Sequence, residues 1–128
     1  MELYILRHGP AMERTRWKKA DSDRPLTDDG RRKMKKIARG MRSLGLDFDA
    51  ILTSPFRRAH DSARIVAEAL EALRVLKISR SLAPDGDQKA LIRHLALDFR
   101  SWEKVLLVGH EPSLSRLISL LTTGAEEL

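Results

Sequence analysis

Four short apolar runs in the chain alternate with longer segments in which apolar residues recur at helical spacing. The runs cover residues 3–6, 49–53, 75–79 and 104–109. Buried strands separated by amphipathic helices are typical of a parallel sheet that helices cover on both faces. The alternation therefore predicts an α/β fold, a three-layer α/β/α sandwich with a mainly parallel sheet.

The segments between the runs carry start signals for four helices. The residues predicted to cap or precede them are Thr27, Ser54, Asp87 and Pro112. In the second of these helices Pro55 would occupy the first position, where its missing N–H does no harm. The inward-facing residues are predicted to be Met34, Ile37, Ala38, Met41 and Leu44 in the first helix, Ala59, Ala63, Val66, Leu70 and Leu73 in the second, Leu91, Ile92, Leu95 and Phe99 in the third, and Leu114, Leu117, Ile118 and Leu121 in the fourth.

The length of the chain, 128 residues, suits a single domain over residues 1–128 with one hydrophobic core. No apolar stretch approaches the roughly 20 residues that a spanning helix needs, and the N-terminus does not resemble a secretory signal. Cysteine is absent, which excludes disulfides and thiolate metal sites. We therefore expect a cytoplasmic protein with no membrane partner.

The positive charge of the chain is concentrated in its first half. Residues 1–64 carry 16 Lys and Arg against 9 Asp and Glu, whereas residues 65–128 carry 8 against 9. Such asymmetry predicts a basic face that attracts a phosphate, an acidic protein or a nucleic acid, although part of it is a solvated helix face. With 2 Trp, 1 Tyr and 3 Phe and no recognised nucleic-acid motif, a nucleic-acid-binding module is the lowest-ranked reading.

Polar side chains follow three of the predicted strands at the point where each strand ends. They lie at residues 7–9, 54–58 and 109–111. Because ligands bind at the carboxyl ends of the strands in open α/β sheets, these residues are expected to share a pocket. Two histidines and at least two arginines in one pocket predict a phosphate site, since guanidinium groups bind phosphate oxygens in pairs and stay charged. The helix that opens beside residue 54 would add backbone N–H donors.

Four motifs, in order across residues 1–118, resemble those of the histidine phosphatase superfamily, the phosphoglycerate mutase-like or RHG-motif family. They are Arg7-His8-Gly9, Leu26-Thr27-x-x-Gly30, Ser54-Pro55-x-x-Arg58-Ala59-x-x-Ser62-Ala63 and Val108-Gly109-His110-Glu111-Pro112. Within the family, the short chain and two segments are most similar to SixA-type phosphohistidine phosphatases. Those segments are Asp23-Arg24-Pro25-Leu26-Thr27 and Ser54-Pro55-Phe56-x-Arg58-Ala59.

The resemblance implies a catalytic set that acts directly on a phosphoryl group. His8 would be the nucleophile, attacking phosphorus with a neutral imidazole and becoming phosphorylated. Arg7 and Arg58 would hold the non-bridging oxygens, and a protonated His110 would donate a further hydrogen bond. Catalysis would then consist of positioning and charge stabilisation. No metal and no other cofactor is implied.

The resemblance also implies a wider substrate-binding set. Arg58 is favoured over Arg57 because the arginine of the family lies four residues after the serine. Arg24 matches an additional arginine of SixA-type pockets, and Gly9 and Ser54 complete the predicted substrate-binding residues.

One departure from the wider family bears on the substrate. Members that act on phosphate esters carry a glutamate after the third strand that protonates the leaving oxygen, and residues 82–86 contain none. A phosphate ester leaves poorly without an acid, whereas the imidazole of phosphohistidine leaves readily once its nitrogen is protonated. Asp21, Asp23 and Asp85 are candidate replacement acids, and the alternative for each is an ordinary loop carboxylate.

The resemblance thus favours a metal-independent phosphatase that acts on a histidine-phosphorylated protein of a phosphorelay or phosphotransferase system. The first alternative is a small-molecule phosphomonoesterase of the same superfamily. Comparable members run further at the C-terminus, so the domain is expected to lack a C-terminal strand or hairpin. The exposed sheet edge could promote dimerisation, and the oligomeric state stays open.

Overall fold

The computed structural model describes residues 1–124, in which strands and helices alternate along the chain. The main elements are β1 (Glu2–Arg7), α1 (Asp28–Ser43), β2 (Ala50–Thr53), α2 (Arg57–Ala69), β3 (Leu76–Ile78), α3 (Gln88–Leu97), β4 (Lys104–Gly109) and α4 (Ser113–Thr123). Short 3₁₀ turns lie at Asp21–Asp23, Leu73–Val75 and Arg80–Leu82. The expected lack of a C-terminal strand or hairpin concerns chain beyond the described residues.

The four strands form one parallel sheet in the order β1-β4-β2-β3. Arg7 of β1 lies beside Gly109 of β4, and Thr53 of β2 lies beside Val108. The three strands therefore end in nearly the same row, which places the residues that follow them next to one another. The predicted α/β fold with a parallel sheet is confirmed.

The two faces of the sheet bury separate hydrophobic clusters because successive side chains of a strand point to opposite faces. In β4, Leu106 and Val108 belong to the cluster beneath α1 and α2, and Val105 and Leu107 belong to the cluster beneath α3 and α4. This arrangement gives the three layers that the alternating pattern predicts.

The predicted buried faces of the helices include residues that lie at the flank of a helix or beyond its end, where the structure exposes them. In α1 the buried apolar residues are Met34 and Ala38, one helical turn apart, whereas 43% of the surface of Ile37 is exposed, because Ile37 lies at the flank of that row. Leu44 follows the end of α1, and Leu73 lies beyond the end of α2 in a 3₁₀ turn. The predicted core residues that the structure places at the surface are Ile37, Leu44, Leu73, Ile118 and Leu121.

The predicted start of the second helix is also wrong. The Thr27 and Asp87 caps are confirmed, since their side chains accept hydrogen bonds from backbone N–H groups of the first turn. Ser54, however, caps no helix: α2 begins at Arg57, and Phe56 stands at the cap position without a side-chain bond. The Ser54 hydroxyl accepts from the backbone N–H of Phe56 at 3.1 Å and also bonds the side chain of His110, the residue that follows β4.

The segment between residues 11 and 26, called the 11–26 loop below, leaves and re-enters the fold at one place. Ala11 and Leu26 form an isolated antiparallel bridge. Met12 N donates to Pro25 O at 2.9 Å, and Thr27 N donates to Pro10 O at 3.1 Å. These main-chain bonds close the base of the loop directly behind the end of β1.

Candidate active site

A cleft of about 770 Å³ opens at the carboxyl edge of the sheet. Its charged and titratable lining residues are Arg7, His8, Arg14, Arg24, Arg58, His110 and Glu111, and Gly9 lies in the wall beside them. The cleft thus joins residues that follow β1 and β4 with residues of α2 and the 11–26 loop. The sequence pattern predicts a shared pocket for the residues at the ends of β1 and β4 and at the start of α2. The structure brings these residues together.

His8 is held with one ring nitrogen engaged. Its Nδ1 lies 2.7 Å from the carbonyl oxygen of Gly9, and a carbonyl can only accept, so Nδ1 carries the proton and Nε2 keeps its lone pair. Burial lowers the pKa of His8; the bond to Gly9 opposes this shift, and the charges of Arg58 and Arg7 add to it. The ring is therefore neutral at neutral pH, with Nε2 able to act as a nucleophile.

His110 lies across the cleft, with its ring centroid 5.0 Å from that of His8. Its Nε2 is 2.8 Å from Ser54 Oγ. Burial, followed by the charges of Arg58 and His8, lowers the pKa of His110 to about 3. In the protein alone His110 is therefore neutral, which differs from the protonated donor that the family resemblance implies.

Arg58 is almost fully buried, with 5% of its side chain exposed, and Asp21 holds its guanidinium group. Its Nη1 donates to the backbone oxygen of Asp21 at 2.9 Å, and its Nη2 donates to Asp21 Oδ2 at 3.2 Å. The other carboxylate oxygen of Asp21 accepts from Arg24 Nε at 2.9 Å. One carboxylate of the 11–26 loop therefore orients two of the arginines that line the cleft.

Two buried side-chain nitrogens lack a hydrogen-bond partner within the part of the chain that the structure describes, and both belong to this cleft. They are Arg58 Nε and His110 Nδ1. Buried polar groups are nearly always paired in native proteins, so unpaired ones call for an explanation. Two unpaired nitrogens beside a neutral imidazole fit a site that binds an acceptor-rich anion such as phosphate.

The predicted replacement acids are not arranged as proton donors. Burial alone would raise the pKa of Asp21, but the hydrogen bond from Arg24 and the charges of the neighbouring arginines hold it below its usual value. Asp23 is exposed and lies 3.6 Å from Arg57, and Asp85 is exposed in a turn outside the cleft lining.

Ser54 and Gly9 are placed differently from each other. Ser54 is fully buried behind His110 and lies outside the cleft lining, although the sequence assigns it to substrate binding. The backbone N–H of Gly9 donates to Ser62 Oγ at 3.0 Å, and that hydroxyl donates to Arg58 O at 2.7 Å. Ser62 thereby joins the nucleophile segment to α2, and a side chain on Gly9 would meet Met34 Cγ at 2.7 Å.

Among the charged residues of the cleft, sequence reasoning missed Arg14 and placed Glu111 in the shared pocket without a role. Arg14 lies in the 11–26 loop, where no periodic pattern marks a position, and 79% of its side chain is exposed, 3.7 Å from Asp21. Glu111 belongs to the motif that contains His110, and the sequence alone suggests no chemical role for it. Its carboxylate accepts from the backbone N–H and the hydroxyl of Ser115, so it caps the first turn of α4.

Residues 1–124 contain no group of three or more His, Asp or Glu side chains that could hold a metal ion. Within the same range, no helix has both the length and the apolar character that crossing a membrane requires.

Comparison with known proteins gives matches over most or all of the chain. The family model described as the histidine phosphatase superfamily (branch 1) matches residues 3–82. An uncharacterized protein of Picosynechococcus sp. (strain PCC 7002) is 39% identical over 97% of this chain and 74% of its own length. The phosphohistidine phosphatase SixA of Escherichia coli (strain K12) is 29% identical over 97% of this chain and 76% of its own.

The fold matches as well. A solved structure of the protein histidine phosphatase SixA complexed with tungstate superposes with a TM-score of 0.87 and 27% identity. The superposition covers 100% of this chain and 81% of that one. The family model stops before β4, so the longer matches are the ones that extend over His110.

Proposed function

This chain belongs to the histidine phosphatase superfamily and is a hydrolase of that type, and from that premise we propose that it removes the phosphoryl group from phosphohistidine on another protein. The family expected from the four motifs is thereby confirmed. The partner would be a histidine-phosphorylated protein of a phosphorelay or phosphotransferase system, and the cluster of arginines at the cleft would attract it. No cofactor enters the proposed reaction.

The proposed reaction begins at His8. Its Nε2 lone pair attacks phosphorus opposite the substrate nitrogen, the substrate N–P bond breaks, and phospho-His8 forms. Arg7, Arg24 and Arg58 bind the non-bridging oxygens. Water then attacks phospho-His8 and releases phosphate, which returns His8 to its neutral form.

The observation that carries the proposal is the pairing of a neutral, oriented imidazole with unpaired buried nitrogens in one cleft. His8 Nδ1 is fixed by Gly9, which leaves Nε2 for phosphorus, and Arg58 Nε and His110 Nδ1 are the nitrogens without a protein partner. Groups of this kind stabilise developing negative charge on phosphoryl oxygens.

The choice of an N–P substrate is supported by the acids near the cleft. Glu111 is the carboxylate among the described residues that line it, and Ser115 holds both of its oxygens. Asp21 is ionised and committed to arginines. An alkoxide leaving group needs a proton from an acid, whereas phosphohistidine protonated on its other ring nitrogen departs as neutral imidazole.

The proposal is tested by comparing phosphohistidine with phosphate esters. One substrate would be a phosphotransfer domain that phosphoramidate has phosphorylated on histidine. The others would be phosphate esters: p-nitrophenyl phosphate, sugar phosphates and nucleotides. Each substrate would be incubated with the wild type, His8→Ala and His94→Ala. We expect wild type and His94→Ala, whose ring is exposed on α3 away from the cleft, to release phosphate from phosphohistidine. His8→Ala should lose about 1,000-fold or more, because the covalent route is closed.

Three outcomes would distinguish the proposed phosphohistidine phosphatase from the alternative functions. Full activity of His8→Ala would contradict the nucleophile assignment. Esters turned over much faster than phosphohistidine would indicate the small-molecule phosphomonoesterase. Tight binding of DNA or RNA that weakens steeply with salt would instead support the nucleic-acid-binding reading.

A further inference from the structure

Ser54 lies at the carboxyl end of β2, wedged between β4 and the start of α2. It is fully buried, and its backbone N–H donates to Val108 O at 3.0 Å. Its Oγ is 3.1 Å from the backbone nitrogen of Phe56 and 2.8 Å from Nε2 of His110. The hydroxyl thus contacts His110, which lines the cleft, from a buried position that is not part of the lining.

The partners of the Ser54 hydroxyl favour one direction for its bond to His110. The N–H of Phe56 can only donate, so Oγ accepts there and keeps its own proton available to give. Nε2 of a neutral His110 can accept that proton in a hydrogen bond. The neutral state follows from the burial of the ring, which lowers the pKa of His110 to about 3.

The bond at Nε2 decides what His110 presents to the cleft. A neutral imidazole carries one N–H, and if Nε2 accepts from Ser54, the proton resides on Nδ1. That nitrogen is one of the two buried nitrogens without a partner among the described residues. In the opposite tautomer Nδ1 would hold a lone pair, which repels a phosphate oxygen.

We propose that Ser54 is a positioning residue, whose hydroxyl donates to His110 Nε2 and so holds the proton on Nδ1, where it donates to an oxygen of the bound phosphoryl group. This inference rests on the proposed function. It replaces the predicted contact between Ser54 and the substrate by an action through His110. A neutral histidine then performs the task that family resemblance gives to a protonated one.

The first measurement reads the tautomer directly. In ¹⁵N-labelled wild type at pH 7, the imidazole nitrogens of His110, assigned with His110→Gln, are expected to show a protonated Nδ1 and an unprotonated Nε2. In Ser54→Ala the proton should distribute over both nitrogens, and Ser54→Thr, which keeps a hydroxyl, should restore the wild-type pattern. A wild-type His110 protonated on Nε2 would overturn the inference, whatever Ser54→Ala and Ser54→Thr show.

The second measurement separates action through His110 from a general effect on the fold. Binding of inorganic phosphate would be titrated for wild type, Ser54→Ala, His110→Ala and the double variant, with thermal unfolding recorded for each. Ser54→Ala should bind phosphate about 10- to 100-fold more weakly, the range expected for one hydrogen bond to a charged group. In the His110→Ala background the same change should have little further effect.

Equal losses in both backgrounds would overturn the inference, because Ser54 would then act independently of His110. Unchanged phosphate affinity in Ser54→Ala would do the same. Neither measurement uses phosphohistidine, since the first needs no ligand and the second uses inorganic phosphate. Failure to hydrolyse phosphohistidine would therefore count against the proposed function while leaving the tautomer assignment to its own test.

Discussion

Proton placement at individual side chains decides what this cleft does. His8 and His110 face each other at 5.0 Å, and each has one ring nitrogen held by a neighbour, the carbonyl of Gly9 in one case and the hydroxyl of Ser54 in the other. The two partners have opposite consequences, since the carbonyl leaves a lone pair on His8 Nε2 and the hydroxyl leaves a proton on His110 Nδ1. One imidazole is thereby suited to attack phosphorus and the other to donate to oxygen.

Asp21 is the residue whose expected role changes most. Its carboxylate bonds Arg24 and Arg58, and its pKa lies below the usual value, so it is a poor proton donor at neutral pH. We predict that Asp21→Asn lowers kcat/KM for phosphohistidine about 10- to 100-fold, because the arginines lose a charged partner that holds them. Steady-state kinetics and phosphate titration would measure the effect.

Asp61→Asn is the matched control for Asp21→Asn. Asp61 also contacts two arginines, at 3.3 Å from Arg31 and 3.8 Å from Arg57, but outside the cleft. Its replacement should leave kcat/KM within a few-fold of wild type. If Asp21→Asn instead keeps its phosphate affinity and removes the basic limb of the pH–rate profile, Asp21 is a general acid and the positioning role is wrong.

At the scale of elements, α1 supports the nucleophile segment through its first turn. Thr27 N donates to Pro10 O, and a Cβ on Gly30 would collide with the same carbonyl. Pro10 follows His8 and Gly9 directly, so this close approach fixes the chain just behind the nucleophile. The glycine of the Leu26-Thr27-x-x-Gly30 motif is thereby explained by packing and not by a contact with substrate.

Two glycines of α1 should respond in opposite directions to the same substitution. Gly30→Ala should destabilise the protein by roughly 1–3 kcal/mol, because the backbone must shift to admit the methyl group, and should lower activity as well. Gly40→Ala should stabilise it by roughly 0.5–1 kcal/mol, since nothing lies within 4 Å of its Cβ position and alanine favours helix. Urea unfolding would measure both, and a neutral Gly30→Ala would contradict the packing argument.

Local signals in the sequence were sufficient for some elements and not for others. The caps at Thr27 and Asp87 were predictable because a cap depends on residues within one turn. The Ser54 cap failed because its hydroxyl bonds His110, 56 residues away, a competition that no local pattern contains. Ile37 failed because the width of a buried face depends on the neighbouring helix.

The site shows the same division. The residues that follow β1 and β4 could be assigned because strand ends in a parallel sheet must meet at one edge. Arg14 could not be assigned, since the 11–26 loop has no period that links position to surface. The tie between Asp21 and Arg58 likewise depends on where that loop lies in three dimensions.

For the whole molecule, the cleft histidines link stability to pH. Burial, then the charges of nearby groups, brings the pKa of His110 to about 3, and burial also lowers that of His8. An unfolded histidine has a pKa near its ordinary value of 6.5, so it takes up a proton below that pH while the folded His110 does not. The contribution of His110 to stability is therefore complete above pH 6.5 and falls as the pH drops from there toward 3, and that of His8 falls in the same direction.

We predict that the free energy of unfolding declines below pH 6.5, with His110 contributing up to about 1.4 kcal/mol per pH unit. Urea unfolding at several pH values and constant ionic strength would give the slope for wild type, His110→Asn and His94→Asn. His110→Asn should have the shallower slope, and His94→Asn, whose ring is exposed, should match wild type. Equal slopes in all three would contradict the assigned pKa of His110.

The closed base of the 11–26 loop makes that segment a structurally separate part of the cleft wall. The Ala11–Leu26 bridge and the bond from Met12 N to Pro25 O tie its two ends to each other, so we expect changes near its middle to displace β1 and α1 little. Arg14, Asp21 and Arg24 all lie inside it, whereas both cleft histidines lie outside. Substitutions in this loop that keep Asp21, which holds Arg58, can therefore reshape the rim of the cleft while both histidines stay in place.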